Sequence, residues 1–549
     1  MRTAAIIVVL LLAPAVARAD DCDSIPVWRD GHRDGAVCRG DAGARGLTVV
    51  DLRDDWVPPV LAGSGYRSTY LALAQERFDD AGLDGELAAR DRYLELYGIA
   101  PTLAVVRRRL ADESRHRCHD AIADTALGAA PLRIIEEPSA VGLARVTRAK
   151  VLPDEADRRF VATVRTVQDH LACDDLFAAP PIRGAYTEPT RIALQTFQRS
   201  VMMLPNGVLE GYTLAALAQG SRVRDFMLAL RVLRARVIAA TDLVEDGSAG
   251  AGRRMVLGRV LDPEPSWRVR GHAALAGAAP DLISPATEAA ARALGWLDAA
   301  SVLAFLELVP DRIVALPLPP VPAYHRAAMN LEIEIDRGDI WLDRDALGYD
   351  SGRRPALILY ARTRKHRIAL ARWPTTVGGW KDEQRGNGVI ERWKDSPVGR
   401  FVWPHLYVAP RWLPPRTTPD QELVRLVDDR YVLAREQFGP SYRAAFGLVA
   451  FVHAGGVDED IRTHGTGYAA SLARGDSHGC HRLLGLHAVR LADFVLAHHR
   501  HVALGPERTR YRRVVRHVDT FPIAIDTLGE KIELVPPIPV TVLPGQVHP

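Results

Sequence analysis

The stretch Pro317-Leu-Pro319-Pro320-Val-Pro322 divides the chain into two regimes of hydrophobic spacing, and that division limits the folds open to it. Proline fixes φ and lacks an amide donor, so the stretch is a stiff linker that neither a helix interior nor a central strand can absorb. Before it, apolar residues recur at helical intervals: Leu71, Leu73, Ala74 and Phe78; Leu94, Leu96 and Tyr97; Leu103, Val106 and Leu110, with Pro101 suited to a first helical turn. After it they alternate, as in Leu331-Glu-Ile333-Glu-Ile335. Ala356 to Tyr360 and Ile368 to Trp373 read as strands around the basic turn Arg362 to Arg367. More strands are expected at Leu406 to Val408, Gly447 to Phe451, Tyr511 to Val515 and Ile532 to Val535. The spacing predicts an α+β multidomain chain, helical first and then a β-rich sandwich or partly closed barrel. At 549 residues the chain exceeds what one core organises.

The two ends of the N-terminal part differ in character. Arg2, the apolar run Ala4 to Pro14 and Ala17-Arg18-Ala19 before Asp20 read as a cleavable export signal, and the apolar run is shorter than a membrane span requires. The mature protein is expected to be exported, with no transmembrane segment after cleavage. Residues 20–60 show no sustained period and read as irregular. Cysteine usage agrees with export. Setting Cys480 aside leaves Cys22, Cys38, Cys118 and Cys173, an even set that an oxidising compartment would pair. Three pairings are open, and Cys22–Cys38 with Cys118–Cys173 closes the shortest loops. Lys and Arg number 70 against 67 Asp and Glu, a net charge of +3 that gives no case for nucleic acid.

Residues 156–220 read as a small three-helix unit. Val164, Val167, Gln168 and Leu171 share a face, Ile192 to Gln198 follows, Asn206-Gly207 marks a turn, and Thr213 caps a last short helix. The order Gly184-x-Tyr186-x-x-x-Thr190, Phe197-Gln198, then Asn206-Gly207-Val208 and Thr213 resembles the peptidoglycan-binding domain-1 family. That resemblance implies a module that tethers the chain to wall polymer.

The chemistry concentrates in Thr463 to Leu483, which holds His464-Gly465-Thr466 and Ser477-His478-Gly479-Cys480-His481-Arg482. A thiol needs a neighbouring base to act as a nucleophile, and glycine lets backbone amides approach a reacting carbonyl. One short run thus offers a nucleophile, candidate bases and oxyanion donors, on a loop expected to leave a strand. A zinc set of His464, His478, Cys480 and His481 is the competing reading, but three of those residues crowd into four positions, unlike ordinary ligand pairs. The other histidines, His453, His487, His498, His499 and His501, read as surface groups.

Four elements in order carry a resemblance to the YkuD-type L,D-transpeptidase catalytic domain over about 330–542. They are Pro374-Thr-Thr-Val-Gly378, Ser396-Pro-Val-Gly399-Arg-Phe401, Ala409-Pro410-Arg-Trp412 with Pro414-Pro415, and the His464/Cys480 run. With the export signal and wall-binding module, the chain is most similar to the large periplasmic members of that family. Two positions depart from it: Ser396 stands where threonine is commoner, and His481 where an aliphatic residue is usual. The resemblance implies that Cys480 attacks a peptidoglycan tetrapeptide stem and that His464 is its base. Gly465 would orient that base, Gly479 with the Cys480 amide would hold the oxyanion, and Ser477 and His478 would shape the site. Arg482 and Thr466 would bind substrate. It implies no metal and no cofactor. Its partners are peptidoglycan stems and glycan, with a diaminopimelate amine, an envelope-protein lysine or water as acceptor. A hydrolase or carboxypeptidase using the same cysteine and a non-catalytic wall-binding scaffold are the alternatives. Arg416 to Ser441 reads as a segment over the site.

The expected organisation is a signal peptide at 1–19, a helical region at 20–155 and the wall-binding unit at 156–220. A helical scaffold at 221–316, the linker at 317–329 and the catalytic domain at 330–542 complete it.

Overall fold

The computed structural model describes residues 22–83, 90–123, 127, 155–244, 283–309, 312–321, 325–341, 355–364, 367–386, 388–427, 429–455, 461–469, 471–474 and 477–548. The export signal and the loop at Gly247 to Gly252 lie outside them.

The N-terminal part is not wholly helical. Ser24–Arg29 and His32–Cys38 form an antiparallel hairpin whose two turn residues, Asp30 and Gly31, both have positive φ (49° and 81°). That Asp-Gly pair suits the right-handed strand twist, which left-handed residues at both turn positions accommodate. The hairpin joins Thr48–Asp51 through Ile313–Leu316, which pairs parallel with the first strand and antiparallel with Thr48–Asp51. The stretch expected to be irregular is therefore a sheet, completed by a strand from the end of the helical scaffold. A shared core of Val50, Leu103, Val106, Leu233, Trp296, Phe305 and Leu316 binds the two regions together. Disulfides join Cys22 to Cys38 and Cys118 to Cys173, the pairing that closes the shorter loops.

Helices Glu155–Cys173, Glu188–Ser200 and Gly211–Leu217 enclose Val164, Val167, Leu171, Leu194, Phe197 and Leu214. Two glutamines organise their connections in the same way. Gln168 accepts from the Gly184 amide (2.8 Å) and donates to Thr190 Oγ1 (3.0 Å). Gln198 accepts from the Gly207 amide (2.8 Å) and donates to Thr213 Oγ1 (3.1 Å). Both glycines have positive φ, 78° and 68°, so each glutamine fastens a left-handed turn to the start of the next helix. Tyr186 donates its hydroxyl to the Gly207 carbonyl. The residues that carry the wall-binding resemblance thus hold the unit together internally.

The C-terminal part is built on a nine-stranded sheet. Its strands are β1 (Asn330–Asp336), β2 (Ala356–Arg362), β3 (Arg367–Pro374), β4 (Gly399–Val408), β5 (Val449–Val452), β6 (Arg462–Thr466), β7 (His481–Leu484), β8 (His501–Arg516) and β9 (Thr520–Val542). The order across the sheet is β7-β6-β5-β4-β9-β1-β2-β3, with β8 paired to β9. β6 and β7 run parallel, which requires a crossover, here 467–480 with the short helix Ser471–Arg474. Helix Gly485–His498 follows β7 directly. A separate hairpin, Gly378–Arg385 with Gly388–Asp395, projects between β3 and β4. Arg416 to Ser441 holds another hairpin, Val424–Val427 with Arg430–Leu433, and Leu423, Val424 and Phe438 pack on Val515, Ile523 and Ile525 of the β8–β9 pair.

N-terminal residues enter the core of the C-terminal part. Tyr66, Tyr70, Leu94 and Ile99 share one cluster with Ile333, Leu359, Trp403, Val489 and Ile538. Gly485 is glycine because a Cβ there would lie 2.2 Å from the Tyr97 carbonyl oxygen. Among the described residues, no single helix is long and apolar enough to cross a membrane.

Candidate active site

The site is assembled on the parallel pair β6–β7, and the register decides which side chains meet. His464 lies opposite Arg482, and Thr463 lies opposite His481. Paired residues share a face and neighbours along a strand alternate, so His464 and Arg482 belong to one face, Thr463 and His481 to the other. Cys480 stands immediately before β7, two positions from Arg482, and alternation carries it to the front face with His464. Cys480 is in no disulfide and is half-buried. His464 is thus inside a strand and Cys480 leads into one, whereas the sequence pattern suggested a loop leaving a strand.

The imidazole of His464 is buried, at 2% exposure, and its Nδ1–H donates to the Gly465 carbonyl (2.5 Å). That bond leaves Nε2 as the unprotonated nitrogen. Burial, with Arg482 and Arg462 adding repulsion, lowers the His464 pKa to about 3, so the ring is neutral at physiological pH and able to take a proton. Gly465 sits under helix Gly485–His498, where a Cβ would lie 3.4 Å from the Gly485 Cα. The Phe446 ring stands edge-on to His464, 4.9 Å between centroids.

The cysteine loop is fastened through its carbonyls. Ser477 Oγ donates to the Cys480 carbonyl (2.8 Å), and Thr376 Oγ1 donates to the same oxygen (3.2 Å) while accepting from the Arg482 amide (3.2 Å). Thr375 Oγ1 donates to the Arg482 carbonyl (2.9 Å). Ser396 Oγ donates to the Gly479 carbonyl (2.7 Å), and its amide bonds to the Val377 carbonyl (2.8 Å). Gly479 has φ +96°, and a Cβ there would come within 2.9 Å of the Asp395 carbonyl, so only glycine fits. The hydroxyls of Thr375, Thr376 and Ser396 therefore set the position of the cysteine. The motifs containing them stood out in the sequence, but their hydrogen-bonding task did not, because it depends on a contact more than eighty positions away in the chain.

The other expected site residues separate. Ser477 is buried and braces the loop, whereas His478 is exposed at its tip. Thr466 is buried, and its hydroxyl accepts from the Tyr468 amide (3.1 Å), so it closes a turn. Arg482 is half-buried on the front face. Beside the loop, the projecting hairpin carries Glu383, which is 3% exposed and paired with Lys394 (2.9 Å) and Arg392 (3.7 Å). This hairpin was not among the strands expected from the sequence.

His481 is completely buried on the rear face, its ring 5.0 Å from that of His453. Trp403 Nε1 donates to His453 Nε2 (3.0 Å), and Thr463 Oγ1 lies 2.9 Å from the same nitrogen. Burial holds His453 down to about 3 and His481 well below the ordinary histidine value. The set of four zinc ligands considered from the sequence is divided by this geometry, with His464 and His481 on opposite faces. The surface reading also fails for three histidines. His453, His487 and His498 are buried; His487 stacks on Trp373 at 5.1 Å, and His498 meets the Arg326 (2.7 Å) and Asp242 (2.8 Å) carbonyls.

A comparison with curated proteins finds no match. Residues 356–520 match the family model of the L,D-transpeptidase catalytic domain, YkuD, a span that takes in the hairpin, the bracing hydroxyls, His464 and Cys480. The chain therefore carries a YkuD-type L,D-transpeptidase catalytic domain, formed by the β-rich C-terminal part described above.

Proposed function

We propose that the chain is an exported L,D-transpeptidase that works through a thioester on Cys480. The observation that supports this reading is the β6–β7 register, which sets a neutral, buried His464 opposite Arg482, with Cys480 two residues before Arg482 in the chain. Cys480 attacks the carbonyl of the third residue of a tetrapeptide stem as Nε2 of His464 takes the thiol proton. The C–N bond to the terminal D-Ala breaks, and that proton passes to the departing amine. A new amine then attacks the thioester, giving up its proton to His464 and regenerating the thiol.

Proton transfer accompanies attack in this scheme. A resting thiolate–imidazolium pair is disfavoured because burial penalises the imidazolium. We assign the oxyanion to the amides of Gly479 and Cys480, since both carbonyls of that loop are fastened into the protein by Ser396, Ser477 and Thr376. Arg482 takes a stem carboxylate, for which its forked guanidinium is suited. We assign 3–3 cross-linking, with a diaminopimelate amine as acceptor and the three-helix unit holding the wall. Protein anchoring to an envelope lysine is the variant of the same chemistry.

Incubating the mature protein with disaccharide-tetrapeptide tests this reading. A dimer lacking one D-Ala is expected. Tripeptide alone would make the enzyme a carboxypeptidase, and unchanged substrate would remove the thioester mechanism. Export is tested by the N-terminal residue of protein recovered from the periplasm, expected to be Asp20. Wall binding is tested by co-sedimentation of the Cys480→Ala protein with purified sacculi.

A further inference from the structure

Helix Gly485–His498 has two working faces. Ala488 faces the sheet, where a Cβ on Gly465 would lie 3.5 Å from its own, and Leu491, Ala492 and Val495 are buried in the same core. The opposite face, with Leu486, Val489, Arg490, Asp493 and Phe494, lines a cavity of about 330 Å³. The other walls come from the N-terminal part, with Trp56, Pro59, Val60 and Gly98, and from helix Ser221–Thr241, with Ala235, Ile238 and Ala239. Such a volume falls in the range of small-molecule sites, and the lining is mainly apolar.

One polar group in this wall, Asp493, has no counter-charge among the described residues. The Asp493 carboxylate accepts the Val60 amide at 2.6 Å, and among the described residues no cation forms an ion pair with it. The other charged groups on the cavity wall have different positions or engagements. Glu95 is paired with Arg231 at 2.9 Å, Arg490 and Asp242 line the wall, and His501 stands exposed at its edge. Asp493 is half-buried, and withdrawing a carboxylate from part of its hydration without a counter-charge is costly; either a proton or a bound cation relieves it. Burial raises the Asp493 pKa to about 7, which is the protonic form of that relief.

We infer that this cavity binds a small apolar molecule carrying one ammonium group, with Asp493 as its counter-ion and Val489, Ile238 and Trp56 around its apolar body. The occupant would sit against the helix that supports Gly465 and, through it, His464. The site is independent of the chemistry assigned to Cys480.

Calorimetric titration of the full chain with phenethylamine tests this, at about pH 8, where amine and carboxylate are both charged. Its neutral isostere 2-phenylethanol is the control. The amine should bind saturably at one site and more tightly than the alcohol. Asp493→Asn, which keeps an acceptor for Val60, should weaken the amine by about tenfold or more. Ala239→Phe, which fills the cavity from the other wall, should abolish binding. No saturable binding, equal binding of amine and alcohol, or retention of amine affinity in either variant overturns the assignment.

Discussion

The two faces of the β6–β7 pair carry similar residues and do different work. His464 and His481 are both buried, both neutral at physiological pH, and one strand apart. On the front, His464 donates from Nδ1 to Gly465, which leaves Nε2 as the nitrogen able to take a proton. On the rear, His481 lies among Thr463, His453 and Trp403, whose bonds close on one another. The difference is register, since a slip of one residue would exchange the two faces. In the proposed mechanism an imidazole beside the cysteine serves as base only from the front face, and the register decides which one occupies it.

Substitutions on either face sharpen this contrast. The largest effect is expected from His464→Gln, which removes the proton acceptor and should slow acylation by a carbapenem by about a hundred- to ten-thousandfold. Stopped-flow acylation of wild-type protein should show a plateau between about pH 5 and 7, because the His464 pKa lies near 3. An acidic limb with a midpoint near the ordinary histidine value would mean the ring is hydrated and the burial argument wrong.

Ser396→Ala is expected to have an intermediate effect. It leaves the buried Gly479 carbonyl without its 2.7 Å donor, which should cost about 1–3 kcal/mol in urea unfolding and slow acylation through a misplaced cysteine. Ser396→Thr keeps the donor and should restore the rate. Equal rates in the alanine and threonine proteins would show that this brace does not position the thiol.

His481→Leu is the rear-face counterpart. It should leave the acylation rate unchanged and alter only the acid stability. A buried neutral histidine has a folded pKa below its unfolded one, so the unfolded chain binds more protons beneath about pH 6.5. The stability it confers is full above that value and is lost as pH falls toward the lowered folded pKa. Removing one such group should reduce the slope of unfolding free energy against pH by up to about 1.4 kcal/mol per unit in this window. A His481→Leu protein that loses acylation activity while remaining folded would break the front–rear distinction.

Local pattern made part of this legible. Alternation at Leu331 to Ile335 marked β1, and glycine beside histidine and cysteine marked the reactive run, because both signals lie within a few residues. Ser24–Arg29 escaped notice although Ile25 and Val27 alternate inward, since its sheet is completed by Ile313–Leu316 from the far side of the helical scaffold. The role of His481 was hidden for the same reason, as the face it occupies depends on its pairing with Thr463 across a crossover. The motif of the three-helix unit was legible as a pattern, and its Gln198, Gly207 and Thr213 prove to be mutual partners within the fold.

The most direct measurement is the intact mass of the protein after brief mixing with disaccharide-tetrapeptide, followed by peptide mapping. The account predicts an adduct of the substrate minus D-Ala on the peptide containing Cys480, absent from Cys480→Ala. Turnover of the tetrapeptide by Cys480→Ala, or an adduct on any other residue, would contradict it.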